Sequence, residues 1–115
     1  MHIRNVKITC FDDAIAVKPS SEGRDLYPCT ENMLFENMKI VYGVGISIGS
    51  VSPGFNYTCV RNITSRNIDF DYPLKAVYIK TNPGVNGTGE ISNIVYENLT
   101  MRRPIWWAIY IGPQQ

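Results

Sequence analysis

Apolar and polar residues alternate along this chain in short runs, and the runs recur at a fixed interval. Ile3 to Thr9, Met33 to Ile40, Ile63 to Phe70 and Ile94 to Met101 alternate in the way that marks a β-strand with one buried face. A second set of shorter strand cores follows them: Ile15-Ala16-Val17, Ile46-Ser47-Ile48, Val77-Tyr78-Ile79 and Ile109-Tyr110-Ile111. Turn formers separate the runs, as in Pro19-Ser20-Ser21-Glu22-Gly23, Ser52-Pro53-Gly54 and Asn82-Pro83-Gly84, and no stretch sustains a helical period. Each unit also carries an Asn followed by an apolar residue, at Asn5, Asn37, Asn67 and Asn98. These Asn residues lie 32, 30 and 31 positions apart while the short cores advance by 31, 31 and 32, so both halves of the unit keep step. That is a solenoid period.

Strands that recur in register with no helix between them stack as coils of a parallel β-helix. The expectation is an all-β chain of about four coils, with residues 1–115 in one domain. Stacking predicts side-chain ladders. Ile15, Ile46, Val77 and Ile109 form one inward column, and Val17, Ile48, Ile79 and Ile111 a second. Asn32, Asn62 and Asn93 form a polar column beside the Asn5 to Asn98 set. Buried amides are costly unless hydrogen-bonded, and stacking them at turns satisfies them. The outward columns are then Ala16, Ser47, Tyr78, Tyr110 and Lys18, Gly49, Lys80, Gly112, a shallow groove suited to a polymer.

Composition changes this picture little. At 44% hydrophobic and 18% charged the chain is globular, and a net charge of +1 offers no basic face for nucleic acid. The apolar run Ile105 to Ile111 is far short of the roughly 20 residues that span a bilayer, so no membrane partner is expected. No signal peptide precedes the first repeat, and no cap covers it, so the chain reads as a piece of something longer or as a gene model that starts late. Sequons occur at Asn56, Asn62, Asn86 and Asn98. Asn62 and Asn98 belong to the repeat and read as structural, which leaves Asn86, in a Gly-rich loop, as the best acceptor. Cys29 and Cys59 occupy equivalent places in successive repeats, about 4.8 Å apart by stacking, and are expected to pair. Cys10 is then free, or paired with a segment outside the chain. No metal-ligand cluster or nucleotide-binding loop is present, and no cofactor is expected.

The candidate chemistry starts at Asp12-Asp13, an adjacent carboxylate pair just before a short strand. Two crowded carboxyl groups push their pKa values apart, which is what glycoside hydrolysis asks of an acid and a base. Three segments fall in order at one point of successive coils: Asp12-Asp13-Ala14-Ile15-Ala16-Val17-Lys18, Gly43-Val44-Gly45-Ile46-Ser47-Ile48-Gly49-Ser50, and Tyr78-Ile79-Lys80-Thr81. They resemble the motif series of glycoside hydrolase family 28, the polygalacturonases and related pectin hydrolases. The resemblance covers essentially the whole chain. It implies a right-handed parallel β-helix and inverting hydrolysis of galacturonosyl linkages in a polyanionic pectic polysaccharide.

By the same resemblance, Asp12 matches the family's general acid, Asp13 a carboxylate that activates water, and Lys80 the lysine that binds a substrate carboxylate. Lys18 either extends that outward column or is a solvated strand lysine. Tyr110, with Tyr78 beneath it, is expected to face the groove, whereas Trp106 and Trp107 either stack on sugar or cover the last coil. The family's histidine falls on Val44 and its arginine on Tyr78, and a further family carboxylate falls upstream of Met1. Consecutive residues of a straight strand point to opposite faces, so Asp12 and Asp13 can share a site only if the backbone bulges before Ala14. The alternatives to a hydrolase are a polysaccharide-binding β-helix that lost catalysis, for which Val44 and Tyr78 are the motive, and a purely structural repeat protein.

Overall fold

The computed structural model describes residues 1–19, 27–52, 54, 56–84 and 86–114. The expected turns at 20–23 and at Pro53 lie outside the described residues. Eight strands follow one another: β1 (His2–Thr9), β2 (Asp13–Val17), β3 (Cys29–Val41), β4 (Gly45–Val51), β5 (Thr58–Asp71), β6 (Val77–Thr81), β7 (Gly89–Arg102) and β8 (Ile109–Pro113). They pair in parallel into two sheets of four, ordered β1-β3-β5-β7 and β2-β4-β6-β8. The chain is a parallel β-helix whose four rungs are joined by about three turns.

The long strands merge what the alternation pattern read as shorter pieces. β5 runs 14 residues through two corners, at Asn62 and Asn67. Each repeat Asn adopts a left-handed backbone, with φ from 50° at Asn93 to 61° at Asn32. Asn tolerates that region better than other side-chain-bearing residues, so it bends the strand without ending it. Pairing skips the Asn and resumes on the next residue, as in Glu31↔Arg61 then Met33↔Ile63.

The amide ladders form as expected, but on the outside. Asn62 Nδ2 donates to Asn32 Oδ1 at 3.2 Å and Asn93 Nδ2 to Asn62 Oδ1 at 3.0 Å. The second column repeats this from Asn67 to Asn37 at 3.3 Å and from Asn98 to Asn67 at 2.7 Å. All seven Asn residues are exposed. The bend turns each side chain away from the core, which corrects the expectation that they are buried.

The core is the set of inward columns. Ile46 and Ile48 are fully buried, with Phe35, Ile40, Ile63, Ile68 and Phe70 facing them from the other sheet. Ile109 and Ile111 continue the columns of β2-β4-β6 in register on the last rung, where they are 60% and 70% exposed. Cys29 and Cys59 pair in register with Cα atoms 4.4 Å apart and form the expected disulfide. Cys10 is a free thiol.

Candidate active site

The acidic pair sits where the chain turns from β1 into β2. Asp13 pairs with Gly45 and Ile15 with Ile46, so one residue is left over and the strand bulges at Ala14. The bulge follows Asp13 and re-aims it relative to Ile15, while Asp12 lies in the bend that precedes the strand. The Asp12 side chain is exposed, and its Oδ1 accepts the Asp13 amide at 2.8 Å, so the turn is closed by its own carboxylate. The Asp12 carbonyl accepts from Val44 N–H at 3.0 Å and from the Cys10 thiol at 3.2 Å. Gly43 packs so tightly here that a β-carbon would meet the Asp12 carbonyl at 2.4 Å, and its φ of 72° favours glycine independently.

Lys80 comes to this pair from two rungs away. Its Nζ lies 3.6 Å from Asp13 Oδ2, with only 10% and 16% of the two side chains exposed. Two rungs amount to about 10 Å of stacking, a gap that the four-carbon stem of a lysine narrows. Ala16 and Ser47, the small in-register neighbours of Tyr78, leave room for it. Gly49 stands against the Lys80 backbone, where a β-carbon would meet its carbonyl at 2.2 Å. Asp13 and Lys80 therefore meet on one strip of the β2-β4-β6-β8 sheet.

The aromatic residues extend this strip toward the last rung. Tyr78 and Tyr110 pair in register, and their rings meet edge-on with centroids 5.5 Å apart. Tyr110 stacks on Trp107 at 5.4 Å and Trp107 on Trp106 at 4.6 Å. Tyr110 is partly exposed, but Tyr78 is 5% exposed, so Tyr78 is a wall of the strip rather than an open surface. Covering it are two cations: Lys80 Nζ lies 4.8 Å from its ring centroid and Lys75 Nζ 4.0 Å. Sequence reasoning missed Lys75 because it falls in the turn before β6, where strict alternation does not apply. Hydrogen bonds from Leu74 N–H to Gly43 O and from Ile46 N–H to Ala76 O bracket Lys75 beside Val44, which itself stacks on Asp12.

Other candidates stand apart. Lys18 is exposed beyond the end of β2, and regular pairing in its column lapses between Ile48 and Val51, although Gly49 still packs on the Lys80 carbonyl and Lys80 pairs with Gly112. The one histidine, His2, lies on the other sheet against Glu36 at 2.8 Å and does not replace the imidazole missing at Val44. Among the described residues no three His, Cys, Asp or Glu side chains converge on a possible metal position.

One sheet of this parallel β-helix thus carries a carboxylate of the acidic pair, a lysine and an aromatic wall. The family profile of the Glycosyl hydrolases family 28 matches residues 1–112, and the chain belongs to that family. An exopolygalacturonase of Arabidopsis thaliana is 34% identical over 101 residues, covering 88% of this chain and 20% of that protein. A probable endopolygalacturonase D of Neosartorya fischeri is 37% identical over 90 residues, covering 78% of this chain and 16% of its own length. A probable rhamnogalacturonase E of Aspergillus niger is 32% identical over 98 residues, covering 85% and 18%. The chain thus spans about a fifth of the length of these relatives. No solved structure matches it.

Proposed function

We propose that this chain carries a catalytic face of a pectin-degrading glycoside hydrolase that cleaves galacturonosyl linkages with inversion. The observation that carries this reading is the meeting of Asp13 with Lys80, 3.6 Å apart across two rungs and next to Asp12. Asp12 donates a proton to the departing glycosidic oxygen, and Asp13 takes one from the attacking water. Lys80 binds a sugar carboxylate as a compact point charge, and Tyr110 offers a ring edge to the sugar. The exo- and endopolygalacturonase names among the relatives support a pectic substrate, and the rhamnogalacturonase name adds a rhamnogalacturonan to the candidates. Such a substrate supports a location outside the cell, at the plant wall, which suits the Cys29–Cys59 disulfide and an exposed sequon at Asn86.

Reducing-sugar release from polygalacturonate, by the 115-residue chain and by any longer natural form that contains it, tests the proposal. Asp12→Asn is expected to lower kcat by about 10²-fold or more, whereas Lys80→Ala is expected to act chiefly on KM. Equal rates for wild type and Asp12→Asn would remove the hydrolase reading. The replacement of histidine by Val44 and arginine by Tyr78 motivates the second reading, binding without hydrolysis, which the relatives' names do not favour. That reading expects retention of polygalacturonate without release of sugar.

A further inference from the structure

Lys75 is a buried cation that hydrolysis by Asp12 and Asp13 leaves unused. It is 5% exposed, and its ammonium faces three rings: Tyr78 at 4.0 Å, Trp106 at 4.8 Å and Tyr110 at 4.8 Å. No carboxylate lies within ion-pair distance of it among the described residues, whereas Lys80 has Asp13. Burying an ion costs hydration, and each ring face returns part of that cost when water is excluded. The rings can offset the loss of hydration, but they carry no net charge. One unit of positive charge therefore stays uncompensated at the Tyr78–Trp106–Tyr110 end of the strip.

The position of this charge is informative. The Lys75 ammonium sits over the Tyr78 ring, on the same rung as Lys80. Beside it Trp106 and Trp107 are 50% and 45% exposed, so the cage has an outer aromatic wall that meets solvent. A fixed cation behind half-exposed rings suits a pyranose that carries a carboxylate.

We propose that Lys75 is a specificity-determining residue whose caged ammonium selects an acidic sugar at the Trp106–Tyr110 end of the site. This rests on the hydrolase reading, and its test separates the two. Wild type, Lys75→Met and Lys75→Arg are compared on polygalacturonate and on its methyl-esterified form, which keeps the linkage and removes the charge. Lys75→Met should lose about tenfold in kcat/KM on the acid polymer and much less on the ester, while Lys75→Arg should keep the wild-type preference. Equal losses on both polymers would mean that Lys75 only holds the rings in place, and no loss on either would mean that its charge is not sensed; each result overturns the proposal. If Lys75→Met does not fold, Lys75→Gln carries the same comparison. If wild type cleaves neither polymer, the hydrolase reading fails on its own, and titration of trigalacturonate into wild type and Lys75→Gln decides the role of Lys75. Weaker binding by the variant supports it, and equal affinity overturns it.

Discussion

Asn67 does two jobs that no other residue type combines. Its backbone sits at φ 55°, and its side chain donates to Asn37 and accepts from Asn98. Asn67→Ala loses both and should destabilise the protein by about 1–3 kcal/mol in urea melts. Asn67→Gly, which accepts the left-handed backbone, should recover more than half of that loss. If alanine and glycine cost the same, the bend is not what asparagine provides. These columns were legible in the spacing alone, because an Asn that recurs every 30 to 32 residues has few other causes. Their exposure was not legible, since the same spacing results whether the amides point in or out. The sequons at Asn62 and Asn98 follow the same logic, because each Nδ2 is already engaged in a ladder. Lys75 escaped notice because the outward columns were counted from the first strand residue. Counting two places back from Ile46 and Val77 reaches Val44 and Lys75, the place that Asp12 fills one rung earlier.

Between elements, charged pairs cross the long sheet from rung to rung. Glu36 in β3 is held below its ordinary value of 4.5 by the hydrogen bond from Arg66 in β5, with His2 in β1 adding to the effect. Asp71 in β5 is held below 3.8 by Lys39 in β3. Both carboxylates bind protons more weakly in the folded chain than in the unfolded one. The stability they contribute is therefore fully present above their ordinary values and is lost as pH falls through the lowered folded ones. Urea midpoints should drop as pH falls below about 4.5, and Lys39→Met should show a shallower drop than wild type. A variant as pH-sensitive as wild type would place the acid sensitivity elsewhere. Strand identity was readable from alternation, but strand length was not. A left-handed Asn bends β3, β5 and β7 without breaking their pairing, and alternation counted between corners reports only the pieces.

For the whole molecule, register decides function. Asp13 and Lys80 are distant in sequence, and only a constant period brings them to 3.6 Å. That Lys80 faces the β2-β4-β6-β8 strip was legible from the repeat, and an irregularity beside the acidic pair was expected; the strand bulges between Asp13 and Ile15. The burial of Tyr78 was not, because it depends on where two lysine side chains fold back over one ring. The lapse of regular pairing at Gly49 has a similar origin, a local bulge in β4 that no spacing announces. The claim beneath every functional statement is that Asp12, Asp13 and Lys80 act on one bound sugar chain. A crystal structure of the Asp12→Asn protein soaked with oligogalacturonate tests it most directly. The account predicts a sugar carboxylate on Lys80 Nζ with the neighbouring glycosidic oxygen within hydrogen-bond distance of residue 12. Sugar bound on another sheet, or spanning the strip with Lys80 untouched, would contradict it.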